Sequence, residues 1–146
     1  MFAVFNNEIG CVSLPVNDII DIQYNKFDYT ITIQDKNYES ETIYYAMKDS
    51  KYAESLMEDF IKNNSEEFIY INGEWNSIIL RKKDISKVQS DKTFLNILTK
   101  NFDAYSLQII GEIDKFETAG LNDDGMYNAN IEAYRIVQEL NKNNFK

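Results

Sequence analysis

The stretch Phe68–Gln89 (FIYINGEWNSIILRKKDISKVQ) repeats the opening Phe2–Gln23 (FAVFNNEIGCVSLPVNDIIDIQ) at one constant spacing, with no gap. Phe2 falls on Phe68, Asn6 on Asn72, Glu8 on Glu74, Leu14 on Leu80, Asp18 on Asp84, Ile19 on Ile85 and Gln23 on Gln89. Apolar pairs such as Val12 and Ile78 fill positions between them. A supersecondary unit used twice is the simplest source of such a match. A unit of about 65 residues buries too small a share of its surface to be robust alone. Two copies therefore predict a shared core.

Beyond Gln89 the register shifts. FDYTITIQDKNYES (Phe27–Ser40) matches FDAYSLQIIGEIDKFET (Phe102–Thr118) through Phe27/Phe102, Asp28/Asp103, Tyr29/Tyr105 and Asp35/Asp114, which leaves Ser90–Asn101 unmatched. Phe94, Leu95, Ile97 and Leu98 lie close together in that insertion, and their clustering predicts a short helix. Each copy closes on a helical pattern, at Tyr52–Asn64 and at Asn130–Asn144. Ala53, Leu56, Met57, Phe60 and Ile61 recur at the spacing of one buried helical face, as do Ala133, Ile136, Val137 and Leu140.

Within a copy, Asn6-Asn7 and Asn72-Gly73 punctuate hairpins, since these residues tolerate the left-handed backbone of tight turns. Trp75 is expected to cover the sheet beside the second turn. The alternation in YTITI and SLQII suits strands with one wet face. A further strand, ETIYYAM, is legible in the first copy, whereas its polar counterpart Ala119–Asn128 reads as a loop or a degraded edge strand. The sequence thus predicts an α+β fold of two tandem ββββα repeats, 1–66 and 67–146. They pack as a pseudo-twofold single domain of antiparallel sheets, with one closing helix per repeat and an inserted segment near 90–101.

Catalytic equipment is sparse. The chain has no histidine, which removes the commonest general base and metal ligand together. Cys11 is the sole cysteine and sits in an apolar strand pattern, where a thiol is expected to be buried and inert. No glycine-rich phosphate loop or nucleophile elbow occurs. Asp123 and Asp124 lack the alternating ligands of a calcium loop, and Asp18 and Asp84 read as caps of the turns after their hairpins. No catalytic residue, metal or cofactor is expected. With no leader pattern and no long apolar run, a cytoplasmic location and no membrane partner are expected.

Charge then carries the functional expectation. The net charge is −9, of which residues 1–66 hold −7 (5 basic, 12 acidic) and residues 67–146 hold −2 (10 basic, 12 acidic). An acidic surface repels nucleic acid and attracts basic partners. This predicts a non-enzymatic acidic interaction protein, an inhibitor or decoy of the phage or mobile-element type. Its partner would be a protein with a basic surface, such as a nucleic-acid-handling enzyme, and nucleic acid itself is not expected. Asp18, Asp21, Asp28, Asp35, Glu39 and Glu41 would form that face. The alternative is a binding module for a small ligand or single-stranded nucleic acid, with Tyr24, Phe27, Tyr29, Tyr38, Tyr44 and Tyr45 as stacking residues. Arg81-Lys82-Lys83, the one basic cluster, reads as a solvated turn.

Overall fold

The computed structural model describes residues 1–6, 10–36, 42–46, 50–91, 93–109 and 124–143. It is a mixed α+β fold of antiparallel sheets and two helices. The chain forms two compact units. One comprises Met1–Ile71 with Asn76–Arg81, and the other Asn72–Trp75 with Lys82–Lys146.

The first unit begins with a hairpin, β1 (Phe2–Asn6) and β2 (Cys11–Pro15), paired from Phe2↔Pro15 to Asn6↔Cys11 as a two-stranded sheet. A 3₁₀ turn at Val16–Asp18 leads into β3 (Ile19–Asn25), β4 (Thr30–Asp35), β5 (Thr42–Ala46) and helix α1 (Ser50–Asn64). Two more strands, β6 (Phe68–Asn72) and β7 (Asn76–Arg81), complete a five-stranded sheet in the order β5-β4-β3-β7-β6. The hairpin that opens the second sequence copy therefore lies in the first unit's sheet, where β7 pairs with β3 from Asp21↔Leu80 to Asn25↔Asn76. The compact units do not follow the 66/67 boundary of the repeat.

Burial explains this placement. Ile78, Ile79 and Leu80 are buried in succession, a run that suits a strand covered on both faces and flanked by neighbours. Ile22, Tyr24, Ile31, Ile33, Phe68 and Ile79 form a core with Phe5, Leu14 and Val16 of the first hairpin and its turn. From α1 come Ala53, Met57 and Phe60, with Leu56 and Ile61 at the margin, the face that its periodicity predicts. The Asn63 and Asn64 amides cap the last turn by donating to Asp59 O and Phe60 O at 3.2 and 2.8 Å.

Arg81 departs from its sequence expectation. It is only 8% exposed and donates to Val16 O at 3.0 Å and to Ile19 O at 2.8 Å, with a further bond to Glu67 Oε2 at 3.0 Å. Its guanidinium lies 4.4 Å from the Phe68 ring centroid. The basic cluster is split by function: its first member is an internal tie between the 3₁₀ turn and the sheet.

In the second unit a 3₁₀ turn at Lys82–Asp84 leads to β8 (Ile85–Asp91), β9 (Phe94–Thr99) and β10 (Ala104–Gln108), in the order β10-β9-β8. Helix α2 (Asp124–Asn143) packs on β8 and β9. The helix expected within Ser90–Asn101 is instead β9, paired on both sides. Leu95, Ile97 and Thr99 are buried while the residues between are more open, a period of two that the cluster of apolar residues masks. The polar segment Ala119–Asn128, expected to be a loop or a degraded edge strand, belongs to α2 from Asp124 onward, and the rest lies outside the described residues. Ile136 of α2 is buried, with Ala133 and Leu140 half-buried, but Val137 faces outward. Trp75 is half-exposed, its indole N–H donating to Gln108 Oε1 at 2.8 Å.

Lys82 is also held in place, by an ion pair with Glu139 Oε2 at 3.5 Å. Glu139 lies below its ordinary value of 4.5, chiefly because Lys142 hydrogen-bonds it and also through the charges of Lys142 and Lys82. A depressed carboxylate contributes stability that is present above pH 4.5 and lost as the pH falls through its folded value. Glu139→Gln should therefore flatten part of the acid limb of a stability–pH curve, its loss appearing at pH 7 and vanishing at low pH, where the parent carboxyl is protonated as well. Lys142, the chief partner, is 71% exposed, so the effect is small.

Two local features recur in the units. The β3–β4 ladder carries a bulge between Ile19 and Asp21, and the β8–β9 ladder carries one between Ile85 and Lys87, the positions that the sequence repeat equates. Lys36 N–H donates to Asp18 O at 2.9 Å, and Lys100 N–H to Asp84 O at 2.8 Å. Among the described residues, the element order, two strands, a 3₁₀ turn, three strands and a helix, also occurs twice, with five strands before each helix where the sequence predicts four. None of the helices described is long and apolar enough to cross a membrane.

Candidate functional site

The carboxylates expected to form an acidic face are dispersed. Asp21 is 0% exposed and Asp35 2% exposed, both on strands of the first unit's sheet. Asp18 is half-buried and pairs through Oδ1 with Lys36 Nζ at 3.5 Å, so it joins strand ends rather than capping by its side chain alone. The Asp28 side chain is used inside a turn, as described below. Glu39 and Glu41 lie outside the described residues. Buried carboxylates cannot meet a partner's surface; alternation with Ile31 and Ile33 places Asp35 inward, whereas Asp21 is buried on the face opposite Ile22, across from Leu80.

The aromatic set also divides. Tyr24 is fully buried and belongs to the core. Phe27 and Tyr29 remain outside, 72% and 40% exposed, in the turn joining β3 to β4. Asn25 Oδ1 accepts the Phe27 N–H at 2.9 Å, and Asp28 Oδ1 accepts both the Thr30 N–H at 3.3 Å and the Thr30 hydroxyl at 2.6 Å. These side-chain bonds hold the turn while Tyr29 takes a φ of 58°, a region costly for a residue with a Cβ. Phe102, 85% exposed, takes a φ of 67° in the turn joining β9 to β10. Tyr38 lies outside the described residues, as do the side chains of Tyr44 and Tyr45 on β5.

Sequence reasoning misses a groove in the first unit. It has a volume of about 660 Å³ and runs between β1 and α1. Every residue from Met1 to Asn6 lines it, from both faces of the strand, so it follows the strand's edge opposite β2. Tyr52, Leu56 and Phe60 supply the helical wall, with Asp59 and Asn63 beyond them. Phe2, Val4 and Tyr52 are large, apolar and exposed. The signal lies in β1 itself: FAVF is apolar at consecutive positions, more than a strand with one covered face requires. One wall thus offers backbone donors and acceptors, the other an apolar surface. Among the described residues, no group of three or more acidic or cysteine side chains could hold a metal. Cys11, expected to be buried, is exposed.

No family model matches the chain, and no curated protein matches it. Among solved structures, one likeness is to the LytTr DNA-binding domain of a putative methyl-accepting/DNA response regulator from Bacillus cereus. It has 10% sequence identity and a TM-score of 0.45, and covers 73% of this chain and 85% of that one. With Asp21 and Asp35 buried and Asp18 paired with Lys36, the expected acidic face is not formed, and the expectation of an acidic decoy of the phage type, aimed at a basic protein and with nucleic acid not expected, does not stand.

Proposed function

We propose that the first unit is a non-catalytic binding module whose groove between β1 and α1 takes an extended apolar segment of another polypeptide. The observation that carries this is the β1 edge opposite β2, which pairs with no strand among the described residues, facing an apolar helical wall across one groove. An added strand would satisfy the outer backbone groups of β1 and place alternate side chains against Tyr52, Leu56 and Phe60. Exposed apolar surface of this kind marks interaction sites more often than chance contacts do. We also propose that the chain is a duplicated unit, 1–66 and 67–146, on the strength of the recurring element order, bulges and Lys–Asp backbone bonds. A pseudo-twofold packing of the copies would follow from it.

Display selection with random short peptides tests the groove. Recovered peptides should alternate apolar residues and should lose at least about tenfold in affinity on Val4→Asp combined with Tyr52→Asp, about 1.4 kcal/mol. Both positions are exposed, so the variant should stay within about 1 kcal/mol of the parent in stability. Recovery of no peptide, or of peptides indifferent to the double variant, would sink the groove reading.

A second reading is favoured by the strained, exposed aromatics. Backbone strain held by surrounding bonds is a mark of functional sites, and Phe27, Tyr29 and Phe102 would each present a ring for base stacking. Fluorescence anisotropy of a labelled oligo-dT strand separates the two. Binding that is lost in Phe27→Ala with Tyr29→Ala, and untouched by the groove variant, would favour nucleic acid.

A further inference from the structure

Strand β3 has both sides occupied, by β4 and by β7. Its counterpart in the repeat, β8, carries the same bulge and has β9 on one side, with no strand on the other among the described residues. The counterpart of β7 is β2, and among the described residues β2 pairs only with β1. The chain therefore shows one instance of a hairpin docked on a β3-type strand. It also carries the two halves of a second instance, hairpin β1–β2 and strand β8, in different sheets.

We propose that a second copy of this chain completes the pattern, its β2 pairing antiparallel with β8. Carrying the β3–β7 register across by the repeat's own spacing fixes the seam: Leu14 opposite Lys87, Ser13 opposite Val88, Val12 opposite Gln89 and Cys11 opposite Ser90. Reciprocal exchange makes two identical seams about a twofold axis, which closes the assembly at a dimer and prevents an open filament. The polar, lysine-bearing edge of β8 disfavours indiscriminate strand addition, so the pairing depends on register. The proposal rests on the repeat and is independent of the β1–α1 groove, which lies on the other edge of the hairpin.

The chain's single cysteine makes a direct test possible. Directly opposed residues of antiparallel strands have Cα atoms about 4.5–5.5 Å apart, within the span a disulfide bridges. Ser90→Cys in the full chain, oxidised with copper phenanthroline, should run as a covalent dimer on a non-reducing gel and revert on reduction. Gln89→Cys, one residue out of register and on the opposite face, should stay monomeric. Light scattering of the parent chain should report twice the monomer mass at tens of micromolar. Equal crosslinking of the two variants, a bridge confined to one chain, or a monomeric parent would each overturn the proposal.

Discussion

Replacing Arg81 with methionine should lower the stability of the first unit by about 2–5 kcal/mol, read as a shift in the urea midpoint without a change in slope. The guanidinium is the donor to two buried carbonyls, Val16 O and Ile19 O. Their loss leaves two acceptors without that partner at about 1–3 kcal/mol each. The Glu67 pair contributes little by comparison, because Glu67 is 58% exposed. Glu67→Gln should accordingly cost under about 1 kcal/mol. Arg81→Lys should fall between, since one ammonium lacks the planar fork whose Nη2 serves both carbonyls while Nη1 reaches Glu67 and the plane lies over Phe68. Should Arg81→Met prove no worse than Glu67→Gln, the tie is ornamental and the 3₁₀ turn is held by packing alone.

Phe60→Ala should cost about 3–5 kcal/mol by the same measurement. Phe60 stacks on Phe5 at a centroid distance of 5.9 Å and meets Phe68 edge-on at 5.1 Å. It thus joins the N-terminal hairpin to the sheet through one helical residue. Truncation opens a cavity where three elements converge, and these cannot all collapse into it. Phe2→Ala, removing an exposed ring, should stay within about 0.5 kcal/mol. A comparable loss for both would place the hairpin's anchoring elsewhere.

What can be read from the residues depends on whether local pattern and tertiary role agree. The hairpins and the α1 face are legible because alternation and helical spacing state burial directly. Strand β9 is hidden because FLNIL is apolar at all but its central position, which conceals a two-residue period. The destination of β6–β7 is not legible at all, because a strand's sequence specifies its faces but not which edge it joins. Arg81 misleads for a similar reason: a cation among lysines at a strand end looks solvated unless the carbonyls it serves are known. Asp21 and Asp35 read as surface from their charge, yet both are buried on strands of a sheet covered on its two faces. The groove requires two elements, β1 and α1, with four strands of sequence between them.

The placement of β7 beside β3 also sets an order of events during synthesis. The first unit's sheet is not complete until Arg81 has left the ribosome, although its helix ends at Asn64. At typical elongation rates that further stretch takes on the order of a second or more. Throughout that interval β3 presents a bare inner edge, with Ile22 and Tyr24 in reach of any strand that can pair. A nascent chain paused near Glu66 is thus at its most adhesive at the very point where the sequence repeat suggests a finished module.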